Sequence, residues 1–203
     1  MRNCYELAGS VAMGVLLIFL LCAAVDMRQS RMVRCNSNLR ELHRMMNQYA
    51  NDHGVMPPVW EEREPEWYFW SNYIDPDCRR NIVFCCPEDL RNAHMFAKTD
   101  PLTQAIRMSS AASYGMNERM HTYNSKERRA TMYNFKNPEK LFLFGDANVP
   151  MLMVVQNPGT PRHYGRYHYI TAAGAIRTPS AAELGGFKND KLQYKDKDWT
   201  PWK

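Results

Sequence analysis

The feature that most constrains this chain is an uncharged run at residues 7–25, LAGSVAMGVLLIFLLCAAV, with no proline between Met1 and Pro57. A helix of about 19 residues, rising 1.5 Å per residue, nearly crosses the hydrocarbon layer of a bilayer. The run is therefore read as a single-helix membrane anchor. A cleaved signal peptide is the rival reading, because Cys22 and Ala24 place small residues before Val25. Against cleavage, the leading residues carry Arg2 as their one basic side chain and also contain Glu6, and the apolar run is long for a signal core. A lipoprotein fits less well, since Leu21 precedes Cys22 where a small residue is expected. Flanking charge leaves orientation open: Arg28, Arg31 and Arg34 follow the run, and positive-inside counting would hold the C-terminal part in the cytoplasm. Large domains cross membranes largely regardless of such flanks.

Behind the apolar run, Met32, Cys35, Leu39, Leu42, Met46 and Tyr49 recur at alternating steps of three and four, which sets them along one helical stripe. Arg34, Arg40, Glu41 and Arg44 occupy the other face. Gly54 supplies a helix stop, and Pro57 and Pro58 prevent continuation. Anchor and amphipathic segment are thus predicted to form one rod, with a stem whose stripe packs on the rest of the chain. The expected organisation is an anchor at 1–25, a stem at 26–54 and a head at 55–203.

The whole chain has 203 residues, a formal charge of +5 and a pI near 8.9. Its Lys and Arg are scattered among acids, so no nucleic-acid footprint is read from them. Aromatics crowd into VWEEREPEWYFWSNYI, where Trp60, Trp67 and Trp70 are either a core wall or a platform for glycan or another extracellular polymer. Six cysteines are present, without a CxxC pair or His-spaced ligand set, so no metal is expected. If the head is exported, the preferred disulfide joins Cys35 to Cys85 or Cys86, two neighbours that would point to opposite faces of a strand.

RCNSNLRELHRMMNQYANDHGVMPP at 34–58 resembles the stem of type IV pilin-like and type II secretion pseudopilin-like proteins, in particular the bacterial group with prepilin-type N-termini and a C-terminal His-x9-Asp-Gly motif. FCCPED at 84–89, SYGMN at 113–117, NPEKLFLFGDAN at 137–148 and RHYGRYHYITAAGAI at 162–176 follow in the family's order. The likeness covers residues from about 31 to 177 and rests on order and spacing more than on any one string. Two departures stand out. Glu6 matches the family's acidic position, but no suitable Gly precedes it for prepilin peptidase, which points to an uncleaved or minor subunit. His163 is followed by nine residues and then Ala173-Gly174, so Ala173 replaces the motif's Asp. The motif positions carried over are Glu6, Asp146, His163 and Gly174.

The fold expected is α+β: a long N-terminal helix packed on a small antiparallel sheet, in a pilin-like arrangement. NIVFCC at 81–86, LFLFGD at 141–146, MLMVVQ at 151–156 and YHYITAAGAI at 167–176 read as strands, and Asn157-Pro158-Gly159 as a turn. A hydrolase would have to be built from His163, His168, Asp146 and perhaps His121. The five-residue spacing of His163 and His168 fits neither strand nor helix period. Asp146 more naturally closes a turn. No GxSxG, HExxH, Walker or dinucleotide pattern occurs.

The expectation is therefore a non-enzymatic subunit without cofactor. Its partners would be the membrane, other pilin-like subunits and their assembly machinery, with no nucleic acid. It would sit in a bacterial inner membrane with its head in the periplasm or at the cell surface. A glycan or extracellular-polymer binding module is the alternative.

Overall fold

A single helix, α1 (Arg2–His53), carries both the apolar run and the amphipathic stripe. The computed structural model describes residues 2–63, 66–78, 81–89, 113–117, 135, 137–147, 151–152, 161–180, 182–183, 187–188 and 191–192. Gly54 ends α1 with φ at +69°, the left-handed geometry that glycine adopts without a Cβ penalty. Large apolar side chains from Val11 to Leu21, such as Leu17 (59% exposed) and Phe19 (70%), stand exposed among the described residues. By length and composition α1 is able to cross a membrane through its N-terminal apolar half.

Further along, Cys35, Leu39, Leu42, Met46 and Ala50 are buried in the core. The helix therefore changes environment along its own axis. Removing each such Leu or Met side chain from water contributes about 1.5–3 kcal/mol, which suffices to fix the stem's rotation. Tyr49, expected on the stripe, is half-buried and stacks on His53 with ring centroids 4.0 Å apart.

The chain then forms an antiparallel hairpin of β1 (Trp60–Arg63) and β2 (Glu66–Phe69), with Trp60 opposite Phe69. A short helix α2 (Trp70–Ile74) follows directly. Its Trp70 is fully buried and lies parallel to Phe144, centroids 5.5 Å apart.

The main sheet has five strands in the order β5-β3-β4-β6-β7. They are β3 (Tyr114–Asn117), β4 (Phe142–Asp146), β5 (Met151–Leu152), β6 (Tyr169–Thr171) and β7 (Ile176–Arg177). Pairing is antiparallel except between β3 and β5, which run parallel. A small pair, β8 (Phe187–Lys188) and β9 (Lys191–Leu192), follows. The stem packs on β6, α2 and a 3-10 turn at Ile82–Phe84. This is the α+β layout.

Two local expectations change, and one strand is new. The segment at 81–86 is the 3-10 turn, because Asn81 Oδ1 accepts from the Val83 amide (3.0 Å) and Pro87 has no N–H to extend a ladder. SYGMN supplies an interior strand, β3, which its Gly and Asn obscured. The run at 167–176 is not one strand: it divides into β6 and β7 at a turn where Gly174 has φ +86°. The turn at 157–159 lies outside the described residues.

Candidate functional site

Four separate segments deliver buried polar side chains to one place between stem and sheet. Cys35 comes from α1, Cys86 follows the 3-10 turn, Asp146 ends β4, and His163 begins the turn before β6. Their exposures are 0, 2, 0 and 1%, and their ligand-type atoms all lie within 4.8 Å of one another. His163 Nε2 is 3.2 Å from Cys86 Sγ, and the Tyr114 hydroxyl donates to Cys35 Sγ (3.3 Å).

No disulfide joins the five cysteines whose side chains are described, so the expected cross-link from Cys35 to Cys85 or Cys86 is absent. The two thiols of the nearer pair meet as a hydrogen bond, with the Tyr114 hydroxyl also donating to Cys35 Sγ and His163 Nε2 set against Cys86 Sγ. The structure also separates the two candidates for that pairing. Cys86 joins the cluster, whereas Cys85 is half-buried and its carbonyl accepts from Asn38 Nδ2 (3.0 Å).

Arg162 organises the anionic side of the site. Its Nη2 is 2.9 Å from Asp89 Oδ2, and its Nη1 is 3.3 Å from Asp146 Oδ1. It also donates to the Ser113 and Ala147 carbonyls, each at 2.7 Å. Asp146 Oδ2 accepts from the His168 amide (2.8 Å). Asp146 is thus an interior ion-pair member that also pins the start of β6, and not a simple turn cap.

His163 and His168 do meet, although their spacing in the chain argued otherwise. Tyr164 and Gly165 both have positive φ, and His163 forms an antiparallel bridge to Arg166, so the chain reverses and sets the two rings 4.2 Å apart. His168 Nδ1 donates to Asn36 Oδ1 on the stem (2.8 Å). Among the described residues His163 Nδ1 makes no hydrogen bond, and Glu88 Oε2 lies 3.6 Å from it.

Electrostatics follow from this packing. The hydrogen bond from Cys35, with further help from His163 and Arg162, pulls the Cys86 thiol down to about 4. The same sulfur contact, reinforced by burial, drives Cys35 upward, so the thiol proton is held there. Burial raises Asp146 to about 7 against the pull of Arg162. Burial opposes charge on His163, but Cys86 and Asp146 outweigh it and move its pKa up. Burial and then His163 lower His168 to about 4. A thiolate beside an imidazolium is a familiar nucleophilic pair, yet here it faces the protein interior.

The remaining sequence candidates divide. Gly174 lies in the β6–β7 turn against the stem residue His43. Ala173, at the Asp position of the resembled motif, donates its amide to the Pro138 carbonyl (3.1 Å). Trp70 is core and offers no face to a polymer, and Trp60 is half-buried. The side chains of Glu6 and Trp67, and all of His121, lie outside the described residues.

Arg162, Asp89, Glu88, Tyr114 and Asn36 were missed by sequence reasoning, since nothing local marks them as neighbours. The one available signal was the repeated occurrence of polar residues inside the resembled strings. No family model, curated protein or solved structure matches this chain.

Proposed function

We propose that this chain is a non-enzymatic, membrane-anchored, pseudopilin-like structural subunit of a type II secretion or type IV pilus-like system, uncleaved or minor within it. The observation that carries the reading is the divided helix: α1 is bare and apolar from Val11 to Leu21 and is buried on one stripe from Cys35 to Ala50. A rod of this form has two packing tasks. Its lower half meets lipid or the anchors of neighbouring subunits, and its upper half holds the head. The head then lies in the periplasm or at the cell surface, where it contacts other subunits.

Burial of Trp70 removes one ring from the polymer-binding alternative. That leaves the structural role as the better account of the aromatic segment.

The test is site-specific photo-cross-linking in a bacterial membrane of the host lineage, with the reactive group placed at Leu17 or Phe19. Adducts to a second copy or to another pilin-like chain are expected. Labelling of lipid alone, with the chain remaining single, would overturn the filament reading. Recovery in the soluble fraction would overturn the anchor as well.

A further inference from the structure

We propose that Cys35, Cys86, Asp146 and His163 form a binding site for a thiophilic divalent cation of the zinc type, which pins the stem helix to the head. The inference stands on the geometry of the head and does not depend on the filament reading.

Two sulfurs, one imidazole nitrogen and one carboxylate oxygen make the donor set that a tetrahedral zinc-type ion takes. With metal–sulfur bonds of about 2.3 Å and metal–nitrogen or –oxygen bonds of about 2.0–2.2 Å, tetrahedral donors lie roughly 3.3–3.8 Å apart. The four donors here lie within 4.8 Å of one another, and His163 Nε2 and Cys86 Sγ are already 3.2 Å apart. Small side-chain adjustments close the rest.

The surroundings fit the same purpose. With Nε2 turned to the donors, His163 leaves Nδ1 facing Glu88 Oε2 at 3.6 Å. A carboxylate behind a ligating imidazole fixes its tautomer and strengthens it as a ligand. Tyr114 holds the Cys35 sulfur, and the His168 amide together with Arg162 holds the Asp146 carboxylate. Three donors of this set are anionic when ligating, and burying them together is costly until a cation joins them.

All four positions come from protein, so the site is closed and structural. Cys35 is supplied by α1 and the other three by the head, so one ion bridges the two. Binding releases the Cys35 thiol proton and the His163 Nε2 proton to solvent as two metal–sulfur bonds and one metal–nitrogen bond form, and no electrons move.

The experiment uses the full chain, purified in detergent with a phosphine reductant and stripped of metal, and titrated with Co²⁺ and then Zn²⁺. One Co²⁺ per chain is expected, giving a thiolate charge-transfer band and the intense visible absorption of a tetrahedral site, both displaced by Zn²⁺. Zn²⁺ should raise the melting temperature. His163→Gln should abolish the cobalt spectrum, and Cys78→Ser should leave it unchanged.

Should His163→Gln fail to fold, Glu88→Gln is the second variant, because it leaves all four donors in place. It should weaken affinity roughly 10- to 100-fold. A Co²⁺ spectrum lacking thiolate character, or affinity unchanged in both His163→Gln and Glu88→Gln, would overturn the proposal. So would an intact mass of natively isolated protein that showed Cys35 and Cys86 joined as a disulfide.

Discussion

Gly174 sits directly against His43, and a Cβ added to it would lie 3.1 Å from His43 Cε1. His43 Nε2 in turn donates to the Ala172 carbonyl (3.0 Å), and Asn47 Nδ2 donates to His43 Nδ1 (3.2 Å). One turn of the head is thereby keyed to one turn of the stem.

Gly174→Ala combines a left-handed backbone, φ +86°, with a crowded Cβ. We expect it to destabilise the head by more than the ~1–2 kcal/mol that left-handed geometry alone costs an L-residue. Gly165→Ala has a similar φ of +74° but nothing within 4 Å, so it should show only the backbone cost. Denaturant unfolding of both variants in detergent checks this, and equal losses would refute the His43 contact as a cause.

Arg162 feeds two carboxylates and two carbonyls from a side chain that is 5% exposed. Arg162→Met should cost about 3–5 kcal/mol, because it takes the buried cation away from Asp146 and Asp89. Arg162→Lys should recover little, since an ammonium lacks the planar fork that reaches four acceptors. Full rescue by lysine, measured by the same unfolding curves, would show that charge alone matters.

On the stem, Leu39→Ala and Leu42→Ala should each cost about 2–5 kcal/mol through lost burial and a residual cavity. Val33, 59% exposed on the same helix, should tolerate alanine within about 0.5 kcal/mol. Thermal melts of the three variants side by side test whether the stripe is oriented as described.

The apolar run should behave as an integral anchor. Replacing Leu17 and Leu20 together by lysine places two charges at the depth where each costs about 2.5–3.5 kcal/mol to insert. Alkaline carbonate extraction of membranes should leave the parent chain in the pellet and release the double variant. Release of the parent chain would refute stable insertion.

The sequence by itself determined the rod. An uncharged run, a three-four stripe and a Gly-Pro stop are local patterns whose periods are those of the helix, so they survive without knowledge of what lies across from them. The LFLFGD strand was legible for the same reason: β4 is an apolar run bounded by turn residues.

Tertiary structure alone decided the polar cluster. Cys35, Cys86, Asp146 and His163 are scattered over the chain, and no spacing rule relates residues on different elements. His163 and His168 show the limit most plainly, because positive φ at Tyr164 and Gly165 reverses the chain between them. Cys86 is buried in the cluster and Cys85 is half-buried beside it, a choice between two neighbours that the sequence left open. Local periodicity reports which face a residue occupies. Only packing reports what that face meets.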